Sequence, residues 1–145
     1  MQGTVMEEKM AGNTRDRNLA FQTAESALRE AETYVQGLAS MGTFTGSGGL
    51  YGLTDSEPYH TTSTTWSDTA NHVVGSAPHE SYAPPQYFIK NFTIVEGSSG
   101  ALNMSGYGDN KGIGDVTIFK VTARSTGASA ESAEVILRSY YGRTF

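Results

Sequence analysis

The chain has 145 residues, with 15 acidic against 10 basic side chains and a net charge of -5. That size fits one domain with a core of its own, and the charge balance excludes the clustered Lys and Arg that nucleic-acid phosphates require. There is no cysteine, hence no disulfide framework or Cys-based metal site, and no run of apolar residues long enough to span a membrane.

The first predicted element is a long helix within residues 1–41. Phe21, Ala24, Leu28, Ala31, Val35 and Leu38 recur at spacings of 3, 4, 3, 4 and 3, and Ala20, Ala27 and Tyr34 widen the stripe. This is the face of a helix lying on a core. Glu25 and Arg29 form a favourable i,i+4 pair, and Gly37 or Gly42 supplies the stop. Upstream only Val5, Met6 and Met10 continue any apolar face, and Gly12 is expected to bend or fray the helix. A helix from about Thr4 to Leu38 would be roughly 50 Å long, while a domain of this size is roughly 40 Å across. Its apolar-poor start should therefore protrude as a stalk.

Residues 42–86 follow, 45 positions of which 20 are Gly, Ser or Thr. The segment reads as a long helix-to-sheet connection with short elements, pinned by aromatic and aliphatic side chains such as Phe44, Leu50, Trp66 and Val73. Residues 87–145 read as β. Gln86 to Glu96 is rich in aromatic and β-branched residues. Asp115 to Ser125 alternates with Thr117, Phe119, Val121 and Ala123 on one face, and Ser132 to Tyr141 places Ala133, Val135 and Leu137 on one face. Thr126 to Glu131 is a short hairpin link, and the six glycines of Gly97 to Gly114 mark an exposed excursion. The expected architecture is α+β: a single domain over 1–145, one long helix on an antiparallel sheet of three to five strands, with long Gly/Ser/Thr-rich loops. Its core is expected to join Phe21, Leu28 and Val35 to Phe119, Val121, Val135 and Leu137.

No reaction chemistry emerges. His60, His72 and His79 share no ligand spacing and read as loop histidines. Asp109, Asn110 and Asp115 only faintly suggest a calcium loop, because Lys111 occupies the third position. Gly97 to Gly100 lacks the spacing of a phosphate loop. The glycosylation pattern at Asn91 and Asn103 is short enough to arise by chance. The chain reads as neither an enzyme nor the holder of a cofactor or metal. Tyr51, Tyr59, Trp66, Met104 and Tyr107 are candidates for partner contact on the loops, with more to contribute there than to stability.

Two segments together resemble a family. Glu8, Met10, Gly12, Asn13, Asp16, Arg17, Ala20, Phe21, Gln22, Ala24, Glu25, Ala27, Leu28 and Arg29 match the E-x-M-x-G-N-x-x-D-R-x-x-A-F-Q-A-A-E-x-A-L-R run of PilX-type minor pilins of bacterial type IV pili, with Thr23 in place of an alanine. The stretch from Phe119 to Tyr141 resembles that family's closing hairpin. The likeness covers about 50 of the 145 residues. It implies a pilin fold and a low-abundance subunit that primes pilus assembly at the inner membrane, facing the periplasm, and then sits at or near the tip of the extracellular pilus. The implied partners are other minor pilins, the major pilin and a PilY-type tip adhesin, with the membrane met only through an apolar helix expected upstream of this sequence. Met6, Met10, Arg15 and Arg17 on the stalk are then the expected assembly interface. A surface binding or adhesion module using the loops, and a pseudopilin of type II secretion, are the alternatives.

Overall fold

The computed structural model describes residues 2–76, 78–96, 115–129 and 133–144. Helix α1 spans Gln2–Gln36; strand β1 (Leu50–Tyr51), helix α2 (Ser63–Ser67) and strand β2 (Val73–Val74) follow; strands β3 (Gln86–Val95), β4 (Val116–Thr126) and β5 (Glu134–Thr144) complete the chain. The sheet order is β1-β3-β4-β5, with β2 also on β3. The three long strands are antiparallel neighbours, as the alternating pattern requires. The sheet is nonetheless mixed, which corrects the all-antiparallel expectation: β1 lies parallel to β3, pairing Leu50 with Ile89. The connection between them carries α2 and β2 and brings the chain back in the same direction, as parallel pairing demands.

α1 is helical without interruption through Gly12. It ends where Gly37 donates its N–H to the Thr33 and Tyr34 carbonyls, and Leu38 follows as a buried residue just outside it. Its buried line is Ala20, Ala24, Ala27, Ala31 and Val35. Phe21, expected in the core, is 47 % exposed, and Leu28 is only half-buried. The alanines let the helix approach the sheet closely, and a turn of about 100° per residue then pushes the bulkier Phe21 and Leu28 onto its flank.

Below α1 lie Tyr87 and Ile89 of β3 with Phe119, Val121 and Ala123 of β4, closed at one end by Phe44, whose ring centroid is 5.5 Å from that of Phe119. Val135 and Leu137 are half-buried, because β5 is the sheet's outer strand. The opposite face of the sheet is covered by the connection. Trp66 of α2 and Tyr51 of β1 clamp Phe88, with centroids 5.5 and 6.0 Å from its ring. β3 is thus buried on both faces at Tyr87, Phe88 and Ile89, which explains its continuous apolar run.

Most polar groups on this second face are matched, while Glu57 Oε2, His60 Nδ1 and Arg124 Nε are buried without a hydrogen-bond partner. Lys120 pairs with the Glu57 carboxylate, which the Arg138 guanidinium also approaches at 3.8 Å. The Lys90 ammonium donates to the carbonyls of Gly52, Leu53 and Asp55. His72 is buried rather than a free loop histidine; its Nδ1 lies 3.0 Å from the Thr65 carbonyl and its Nε2 2.9 Å from Gln86 Nε2. The Gln86 amide must donate, so the tautomer protonated on Nδ1 satisfies both contacts. Gly49 allows this layer to close: a Cβ there would stand 2.8 Å from the His72 carbonyl carbon, and its φ is 85°.

Candidate assembly surface

Between residues 3 and 18 of α1 no side chain is buried. Met6 and Met10 are 64 and 63 % exposed, and Val5 is exposed beside them. At about 100° per residue, Met6 and Arg17 line up with Ala24 and Val35 of the buried line, and Met10 with Leu28 beside it. The four residues expected to form one interface are therefore not one patch. Arg15 points to the other flank, into an open cleft of about 880 Å³ that α1 forms with Glu80 and Ala128. Leu19, Gln22, Thr23 and Ser26 continue that flank against Pro78 and His79. Glu30 fixes it further up, accepting the Ser76 N–H at 3.0 Å and the Ser76 hydroxyl.

The loop candidates divide as well. Tyr59 is 67 % exposed, its ring tilted against that of His60 at 5.1 Å between centroids. Tyr51 and Trp66 are core residues, which corrects their assignment as free contact residues. The Tyr51 hydroxyl donates to the Asn71 carbonyl at 3.0 Å and Trp66 Nε1 to the His60 carbonyl at 2.8 Å. Burial, then the nearby Asp68 carboxylate, raises the pKa of the Tyr51 hydroxyl. Met104, Tyr107, Asp109 and Asn110 lie outside the described residues. Asn91 is buried against β4, so its glycosylation pattern is out of reach.

Sequence reading missed an exposed apolar group at the end of the sheet nearest the C-terminal end of α1. Phe92, Ile94, Val95 and Tyr140 are all exposed, and the rings of Phe92 and Tyr140 meet edge-on at 5.4 Å. The signal was a register shift between Asn91 and Thr93, which no sequence pattern announces. Among the described residues no His, Asp or Glu cluster is placed to hold a metal, and no helix is long and apolar enough to cross a membrane. These surfaces can bind other proteins; nothing in them brings together a nucleophile, a base and a substrate cavity.

Two family models match the chain. One, described as type IV pilus assembly protein PilX C-term, covers residues 40–143, and the other, PilX N-terminal, covers residues 1–29. No curated protein and no solved structure matched.

Proposed function

This chain belongs to the PilX family of type IV pilus assembly proteins, and from that premise we propose that it is a minor pilin acting through protein–protein contacts to prime assembly at the inner membrane, then standing at or near the pilus tip. Membership carries a structural role in pilus assembly, association with the cell envelope or pilus, and contact with other pilus components. The finer reading rests on one observation: α1 runs well beyond its docked half, and residues 3–18 bury nothing while exposing Met6 and Met10. Such a helix segment costs free energy to hold in water unless other helices cover it.

In this reading the lower part of α1 continues into an apolar membrane helix of the full-length protein. Met6, Met10 and Arg17 contact neighbouring subunits on one flank, and Arg15 does so on the other. Other minor pilins and the major pilin meet this stalk. A PilY-type adhesin meets the opposite end of the domain, where Phe92 and Tyr140 are exposed, with Tyr59 and the residues Met104 and Tyr107 as further contacts.

The test is deletion of the chain and complementation in a piliated cell. Loss of surface pili, restored by the native gene and not by a Met6→Glu, Met10→Glu double variant of unchanged domain stability, is expected. Full piliation without the gene would overturn the reading.

A further inference from the structure

All the sulfur of this chain lies in five methionines, since there is no cysteine. Three of them fall among the described side chains, and the fold treats them differently. Met6 and Met10 are 64 and 63 % exposed, whereas Met41 is half-buried and packs against the main core. Met6 and Met10 stand four residues apart on α1, so their thioethers are neighbours on the helix surface. By helical rotation they extend, toward the start of α1, the stripe that carries Ala24 and Leu28 higher up.

An exposed thioether reacts with hydrogen peroxide by attack of its sulfur on one peroxide oxygen. The S–O bond forms as the O–O bond breaks. Sulfur is oxidised by two electrons, the peroxide is reduced, and its second oxygen leaves as water with both protons. The product loses the property that suits methionine to a contact between proteins. A thioether is apolar, flexible and polarisable, and it fills irregular gaps. A sulfoxide carries an oxygen that needs a hydrogen bond, and covering it with apolar side chains leaves that oxygen without a partner. Neither Met6 nor Met10 belongs to a core cluster, so both can be oxidised with the domain folded.

We propose that Met6 and Met10 form a peroxide-sensitive modification site: oxidation of the pair to sulfoxides bars this chain from the assembling pilus and leaves its domain folded. The exclusion, unlike the oxidation, rests on the assembly reading above. The modification acts before assembly, while the stalk is uncovered. The contact that buries the two thioethers in the pilus also shields them from peroxide afterwards. Met41 is not part of the site, because its packing on the core restricts access to its sulfur.

The experiment has two arms. In the first, the purified chain is treated with hydrogen peroxide and mapped by peptide mass. Met6 and Met10 should each gain one oxygen at least about threefold faster than Met41, and the gap should close in denaturant. The chain oxidised at Met6 and Met10 should melt at the temperature of the untreated one. Equal rates in the folded chain overturn the proposal, and so does a melting temperature lowered by oxidation at these two positions alone. The second arm uses piliated cells carrying the full-length protein. Surface pili are sheared off, and the cells are treated with peroxide and washed. Pili then regrow with protein synthesis blocked, so that they draw on the oxidised pool. The sulfoxide share at Met6 and Met10 should be at least about tenfold lower in this chain from regrown pili than in the chain left in the cells. An equal share in the two pools overturns the proposal, and so does an equal deficit at Met41, which would mark a general exclusion of damaged chains. Should deletion of the gene leave piliation intact, the assembly reading fails and the exclusion falls with it, while the oxidation map still reads the site.

Discussion

Arg143, near the end of β5, donates through Nη1 to the Val35 carbonyl at 2.5 Å, across 108 positions of sequence. The contact joins the end of β5 to the last turn of α1. It adds a second donor to a carbonyl of the helix end that otherwise accepts only the Leu38 N–H at 3.3 Å, and it places a cation at the negative end of the helix dipole. Arg143→Ala should lower domain stability by about 1–2 kcal/mol, with Arg143→Lys recovering part of it. Denaturant midpoints of the three proteins measure this, and an unmoved midpoint for the alanine variant would show that the contact contributes nothing.

Trp66 anchors the layer that the connection lays over the sheet. It is 7 % exposed, packs on Phe88 and hydrogen-bonds the His60 carbonyl. Trp66→Ala should cost about 3–5 kcal/mol, as truncation of a buried aromatic does. Trp66→Phe should cost less, retaining the ring contact while leaving the carbonyl without its donor. Thermal melts of the two variants check the order; a melting temperature unchanged by Trp66→Ala would return Trp66 to the surface.

The strands and the existence of the stalk were legible because both are local patterns. Thr117, Phe119, Val121 and Ala123 alternate, and all four are buried. Residues 3–18 carry few apolar side chains, chiefly Val5, Met6 and Met10, and none is buried. What was misread depends on neighbours distant in sequence. Phe21 and Ala20 are both apolar and adjacent, and only the closeness of the sheet decides which one faces it. Tyr51 and Trp66 sit among glycine, serine and threonine, where composition suggests an exposed loop, yet Phe88 draws them in from a strand more than 20 residues away. The parallel pairing of Leu50 with Ile89 and the register shift after Asn91 leave no mark in hydropathy at all.

Tyr87 gives the fold an alkaline limit. Burial first, then the Glu30 carboxylate and the neighbouring Tyr34, push its hydroxyl up to about 12. Tyr51 shifts in the same direction. The folded state then holds these protons more tightly than the unfolded chain, whose tyrosines titrate near about 10. Stability is complete below that pH and is lost as pH rises through the folded value. Denaturant midpoints should therefore fall as pH is raised from about 9 to 11, and Tyr87→Phe should flatten part of the fall. An identical decline in the phenylalanine variant would assign the loss to other groups.

The stalk is predicted to be dispensable for folding and required for assembly. Residues 3–13 bury no side chain, and the lowest α1 residue in the main core cluster is Ala27. A detached stretch of a dozen residues is marginal as a helix in water, and Gly12 weakens it further. Removing residues 1–13 from the purified domain should thus leave stability within about 0.5 kcal/mol. Amide exchange in the intact domain should be fast up to about Thr14, where the helix begins to gain cover from Glu80 and Ala128. In the full-length protein the same residues have neighbours to meet. Reversing the charge of Arg15 should act on the cleft flank and reversing Arg17 on the face that continues the buried line, so the two should reduce surface piliation independently. Because both side chains are exposed, neither reversal should move the melting temperature by more than a surface substitution does. If the truncation melts the domain, the lower helix contributes to the fold after all; if both reversals pilate normally, neither arginine contributes to a subunit contact.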